Sequence, residues 1–181
     1  PRSLLVIGGG YIGCELAQMF ARLGTRVTLV TRSRLLPEAE PEIAQALASY
    51  LANEGITVRT GLSYSGIAQR DGEIRLTVDV GGRAETLTAE QVLVTAGRTP
   101  NSAGLGLEEA GIRLAPGGGI AVDDRMRTSK PGIYAVGDVT GRDQFVYMAA
   151  FGAKLAARNA LNGDGLVYDN TAMPWVVFTD P

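Results

Sequence analysis

Three glycines near the start of the chain, Gly8, Gly10 and Gly13, stand at the spacing G-x-G-x-x-G. They sit between an apolar β-branched run, Leu4 to Ile7, and a helical pattern carrying Ile12, Leu16, Met19, Phe20 and Leu23 on one side. A glycine turn opening a helix directly after a buried strand can cradle a pyrophosphate. The first glycine permits the tight turn, the second lets backbone approach the phosphates, and the third lets helix and strand pack closely. The helix start adds unpaired N–H groups and the positive end of its dipole. Ile12 belongs to that first helical turn, and a second strand, Arg26 to Val30, follows Gly24. This strand–glycine turn–helix–strand unit predicts a dinucleotide site.

The residue closing the second strand selects the dinucleotide. An NAD site usually places Asp or Glu there, accepting hydrogen bonds from the adenosine ribose. This chain has Thr31, followed by Arg32, Ser33 and Arg34. No carboxylate stands ready to repel a 2′-phosphate, and a charge-assisted hydrogen bond worth about 1.5–3 kcal/mol favours the phosphorylated nucleotide by tenfold or more. The expected cofactor is NADPH, with Thr31, Arg32 and Arg34 around its 2′-phosphate.

The elements around these residues follow from periodicity and punctuation. A helix is predicted from about Pro41 to Asn53, with Pro41 in its first turn, Gly55 after its end, and Ile43, Leu47 and Leu51 facing inward. Ile56–Arg59 is a third parallel strand. Asp71-Gly72 and Gly81-Gly82 are hairpin signals joining short strands at Ile67–Arg70, Glu73–Val80 and Arg83–Leu87, so a β-meander replaces the next crossover helix. Val92–Thr95 returns to the first sheet. Beyond Gly97, a short helix around Leu107–Ala110, strands at Gly119–Val122 and Ile133–Val136, and a helix from about Gln144 to Leu161 are expected, the last with Val146, Ala150 and Leu155 packed. Ala172–Phe178 reads as a new strand. A chain opening on a strand and closing as another begins is expected to be the core of a longer protein.

Composition narrows the chemistry. The 181 residues include no histidine and one cysteine, Cys14, and the net charge is −2. The commonest general acid–base group and metal ligand is missing, and an intrachain disulfide is impossible. No metal site is expected, and any redox chemistry must be carried by a cofactor. The charge gives no case for nucleic acid or an anionic membrane, and no apolar run is long enough to span a bilayer. A lone thiol fits a reducing compartment, so cytoplasm is the expected location.

Taken in order, the motifs resemble the pyridine-nucleotide–disulfide oxidoreductases, a family of flavoenzymes. Gly8-Gly9-Gly10-Tyr11-Ile12-Gly13-Cys14-Glu15 is similar to its NAD(P) motif. Thr95-Ala96-Gly97-Arg98-Thr99-Pro100-Asn101 is similar to its return crossing to the flavin domain. Ile133-Tyr134-Ala135-Val136-Gly137-Asp138 is similar to its second FAD motif. The resemblance implies an α/β fold: a Rossmann-like NAD(P)-binding domain with β-meander over residues 1–96, a partial FAD-binding domain over 97–166, and the first strand of a dimerisation domain over 167–181.

The resemblance also implies roles. Tyr11 matches the family's tyrosine over the flavin, and Glu15 its glutamate near the nicotinamide; these are the candidate catalytic residues. Gly97, Gly137 and Asp138, with Gln144, Phe145 and Val146 at a helix start aimed at the flavin's N1–C2=O edge, would contact FAD. Asp143-Gln144-Phe145-Val146-Tyr147-Met148-Ala149-Ala150 and Ala172-Met173-Pro174-Trp175-Val176-Val177-Phe178-Thr179-Asp180-Pro181 most resemble the Hg(II)-reducing branch. In that branch NADPH reduces FAD, FAD reduces a cysteine pair, and the thiolates deliver electrons to Hg(II) in a homodimer. The cysteine pair lies outside this sequence, so the chain alone is expected to bind NADPH, hold FAD weakly or not at all, and turn over nothing. A disulfide reductase acting on a small thiol–disulfide substrate and a stand-alone nucleotide-binding module remain as alternatives.

Overall fold

A computed structural model describes residues 1–181. The chain forms two compact units, one of Pro1–Gly97 with Trp175–Pro181, the other of Arg98–Pro174.

In the first unit β1 (Ser3–Ile7) leads into α1 (Tyr11–Arg22), then β2 (Arg26–Val30), α2 (Pro41–Asn53) and β3 (Thr57–Arg59). A meander of β4 (Ser63–Arg70), β5 (Glu73–Val80) and β6 (Arg83–Ala89) follows, and β7 (Gln91–Val94) returns to the first sheet. That sheet is parallel, in the order β3-β2-β1-β7, and the meander is an antiparallel sheet in the order β4-β5-β6. Both hairpins turn on residues with positive φ, Asp71 and Gly72 at 54° and 77°, Gly81 and Gly82 at 61° and 84°. Those are the dihedral signs of type I′ turns, whose twist matches that of the strands they join.

Every residue of β1 is buried, as a central parallel strand requires. Leu4 and Val6 face α1 and α2 with Val27, Leu29, Leu47 and Leu51; Leu5 and Ile7 face the meander with Val30, Leu76 and Val78. Three residues expected from periodicity to face inward are exposed instead. Met19 and Leu23 are 43% and 74% exposed, because α1 lays a face of small residues, Gly13, Cys14 and Ala17, on the sheet. Ile43 is 53% exposed, since α2 buries Ala44, Leu47 and Leu51, whose i, i+3, i+7 spacing follows the 3.6-residue repeat.

The second unit holds one long helix, α3 (Val146–Asn162), preceded by a 3-10 turn at Gly137–Thr140. Met148, Gly152, Leu155, Ala156 and Asn159 form the buried face of α3; Ala150 is exposed and Val146 is 84% exposed, contrary to expectation. The strands expected at Gly119–Val122 and Ile133–Val136 reduce to single bridges, Leu114 to Ile120 and Arg127 to Tyr134. The helix expected near Leu107–Ala110 is a succession of turns, with Ala110 N–H bonded to the Gly106 carbonyl at 3.0 Å. Ala172–Phe178 joins no sheet. At the three expected strands the residue types suit the element, but a strand needs an edge to pair with.

Polar side chains hold this unit's loops. Asn159, 2% exposed, bonds the carbonyls of Arg125 and Leu166 and the Leu166 N–H. Tyr168 donates to the Asp143 carboxylate at 3.0 Å. Burial, then that carboxylate, push the Tyr168 phenol up to about 12. A folded-state value above the unfolded one near 10 gives stability that is complete below pH 10 and lost between pH 10 and 12. Urea midpoints should therefore fall over that window, and the fall should be shallower in Tyr168→Phe.

Candidate functional site

The carboxyl ends of β1, β2 and β7 lie level, because Ile7 pairs with both Val30 and Val94. The chain leaves β1 with Gly8 N–H bonded to the Val30 carbonyl at 2.9 Å, and Thr95 N–H bonds the Ile7 carbonyl at 2.8 Å. The sheet order reverses between β1 and β7, and nucleotides bind beyond the carboxyl ends at such a point.

The four glycines of the turn, Gly8, Gly9, Gly10 and Gly13, do different work. Gly8 has φ +117°, and a Cβ there would stand 2.5 Å from the Thr95 carbonyl oxygen. A Cβ on Gly13 would overlap the Gly8 carbonyl and come within 2.7 Å of Thr95 Oγ1. Thr95 Oγ1 donates toward the carbonyls of Ile7 and Gly8, at 3.1 and 3.0 Å, and so clamps the turn from behind. Gly9 is closed in as well: its Cβ would meet Leu35 Cδ2 and Thr31 Cβ, each at 3.0 Å. Only Gly10, the residue before α1, faces open space, with no atom within 4 Å of a Cβ. No side chain caps α1, and the first turn of a helix leaves N–H groups without intrahelical acceptors. An open backbone cradle at a helix start fits a pyrophosphate.

At the end of β2 the structure separates the three predicted specificity residues. Thr31 is buried, its methyl group against Gly9, and its N–H bonds the Arg59 carbonyl. Arg34 donates Nη2 to the carbonyls of Pro37 and Ala39, both at 2.8 Å, with Nη1 buried and lacking a partner. It braces its own loop. Arg32 is exposed, with Tyr64 near enough to feel its charge.

Along α1, Tyr11 and Glu15 lie one turn apart on a partly buried stripe. The Tyr11 ring meets Trp175 edge-on, 6.4 Å between centroids and 87° between planes. Glu15 Oε1 accepts the Phe178 N–H at 2.9 Å. Cys14 is wholly buried, and burial, then the Glu15 charge, push its thiol up to about 12, so it is no nucleophile near neutral pH. Sequence reasoning passed over Thr95 as the clamp, Gly9 as a packed position and Gln18 as a buried amide. The Thr95-Ala96-Gly97 run was the available signal for the first; nothing in residue spacing marks the others.

In the second unit, Gly137 has φ +74°, and a Cβ there would lie 3.1 Å from that of Ala149. The turn therefore sits tight on α3. Asp138 projects from it, its side chain 48% exposed, in an ion pair with Arg98 at 2.9 Å. Arg98 also donates to the Gln144 carbonyl at 2.7 Å, tying Asp138 to the entry of α3. The helix starts at Val146, two residues after Gln144, with Phe145 before it stacked on Tyr147 at 5.3 Å. No side chain caps this start either. Exposed Val146, an uncapped first turn and an accessible carboxylate fit a flavin bearing hydroxyls and a reducible ring. Gly97 has φ +116° and open surroundings. No three His, Cys, Asp or Glu residues group to hold a metal, and no helix is long and apolar enough to cross a membrane.

Residues 1–155 match the pyridine nucleotide-disulphide oxidoreductase family model. Six mercuric reductases are 41–45% identical over the whole chain. That of Bacillus cereus is 44% identical over 183 residues, 29% of its own length. A dihydrolipoyl dehydrogenase of Geobacillus stearothermophilus is 39% identical over 182 residues, covering 38% of that protein. Among solved structures, the HOCl-induced flavoprotein disulfide reductase RclA from Escherichia coli superposes on 94% of this chain and 38% of its own, with a TM-score of 0.84 and 32% identity. The chain thus spans less than two-fifths of these relatives.

Proposed function

Because the chain belongs to the pyridine nucleotide-disulphide oxidoreductase family, we propose that it supplies the nucleotide module and part of the flavin module of an NADPH- and FAD-dependent enzyme that reduces Hg(II). Residues 1–96 would bind NADPH and residues 97–166 would contribute to the FAD site, with 167–181 opening the dimerisation region of a homodimeric, cytoplasmic enzyme. The likeness to mercuric reductases over the whole chain supports the substrate. The open cradle at Gly10 carries the nucleotide reading.

In that reading the turn from Gly8 to Gly13 holds the pyrophosphate, and the α1 dipole offsets its charge. Tyr11 and Glu15 lie at the nicotinamide end. Asp138, set by Arg98, would accept hydrogen bonds from flavin hydroxyls, and the start of α3 would stabilise negative charge that a bound flavin gains on reduction. FAD, when bound, would pass electrons from the nicotinamide to a cysteine pair. Arg32 is the arginine that meets the 2′-phosphate, since Arg34 is engaged in its loop.

Calorimetric titration of the chain with NADPH and NADH tests this. NADPH should bind at least about tenfold more tightly, and Arg32→Glu should remove the preference. Equal binding of the two nucleotides, or a preference untouched by Arg32→Glu, would return the reading to an NAD-using disulfide reductase like the dihydrolipoyl dehydrogenase. The purified chain should show no NADPH-dependent Hg(II) reduction.

A further inference from the structure

Residues Trp175–Pro181 belong to the same compact unit as α1 but pair with no strand. Side chains of α1 meet their backbone groups instead. Glu15 Oε1 accepts the Phe178 N–H at 2.9 Å. Gln18 makes a reciprocal pair with Asp180: its Oε1 accepts the Asp180 N–H and its Nε2 donates to the Asp180 carbonyl, both at 2.9 Å. Nε2 also donates to Glu54 Oε1 at 2.9 Å. Arg22 bonds both the Asp180 carbonyl and, at 2.9 Å, its carboxylate.

A carboxamide offers a donor and an acceptor side by side, as a peptide group does, so Gln18 serves as a one-residue strand partner. Positions 11, 15, 18 and 22 form a single stripe on a helix, and this stripe carries the whole set of contacts. Gln18 is only 4% exposed, so its amide must be satisfied by protein. Val177 packs on the core beneath, and at the other end of the stripe Trp175 rests against Tyr11.

We propose that Gln18 is a positioning residue, whose amide latches Trp175–Asp180 onto α1 and, through Trp175, fixes the Tyr11 ring at the nicotinamide end of the nucleotide site. The second half of this proposal rests on the nucleotide reading above. The chain has one tryptophan, so its fluorescence reports the latch directly.

The test compares the full chain with Gln18→Ala and Asp180→Pro, the latter changing only the exposed segment and removing the N–H that Gln18 accepts. In both variants acrylamide should quench Trp175 about twofold more strongly, and the Kd for NADPH should rise about fivefold, the value of one hydrogen bond. The Kd for adenosine 2′,5′-bisphosphate, which lacks the nicotinamide, should not move. Unchanged quenching would overturn the latch. Increased quenching with unchanged NADPH affinity would overturn its positioning role, as would equal weakening of both ligands in Asp180→Pro. A wild-type chain that binds neither ligand would overturn the nucleotide reading, while quenching would still decide the latch.

Discussion

Replacing Gly13 by alanine will strongly destabilise the first unit. The new methyl group would overlap the Gly8 carbonyl and crowd Thr95 Oγ1, and both belong to backbone fixed by the parallel sheet. Relief requires α1 to lift off β1, withdrawing Cys14 and Ala17 from the core they share with Leu4, Val6 and Leu29. Overpacking against backbone, with that loss of burial, should cost more than about 3 kcal/mol, a large part of the 5–15 kcal/mol that usually holds a domain. Urea unfolding followed by circular dichroism measures it. A midpoint within error of wild type would mean that α1 does not approach β1 as closely as described.

Alanine at Gly10, three residues earlier, should have the opposite effect. The backbone there is extended, with φ −75°, and nothing lies within 4 Å of the added carbon. Stability should stay within about 1 kcal/mol of wild type, the range for exchanges at a helix cap. The methyl group would project where the pyrophosphate approaches and displace it from the helix N–H groups. With hydrogen bonds to charged groups worth about 1.5–3 kcal/mol each, NADPH affinity should drop roughly 100-fold. Calorimetry on this variant separates site from fold. Retained affinity would place the phosphates elsewhere.

These two glycines mark what the sequence made legible. The turn glycines, the flanking strand and the type I′ hairpins were readable because each rests on a local rule about backbone conformation. So was the parallel sheet, since the unbroken apolar run Leu4–Ile7 suits a strand covered on both faces. The inward face of α1 was misread because large apolar residues were followed, whereas close approach to a sheet favours Gly13, Cys14 and Ala17. Ile43 failed for a related reason, one residue out of phase with the buried stripe of α2. In the second unit, the residue types at Gly119–Val122 and Ile133–Val136 suit strands, yet whether a strand forms depends on a partner edge that no local pattern specifies. At the candidate site, the tight glycine turn between β1 and α1 was legible. The engagement of Arg34 in its own loop was not, because it depends on where the Leu35–Ala39 loop presents its carbonyls.

The packing of Thr31 beneath Gly9 constrains how this protein can be re-engineered. If the chain binds NADPH as proposed, a designer seeking to switch it to NADH would first write an acid at position 31, where NAD sites usually carry it. Here that position is 7% exposed and its side chain abuts the glycine turn, so the new carboxylate would be desolvated and the turn displaced. Selection for NADH use should therefore enrich changes at the exposed position 32 before any at 31, and an acid at 31 should survive only after a second substitution, at Leu35 for instance, has made room for it. Coenzyme choice in this chain is a question of mutational order as much as of charge.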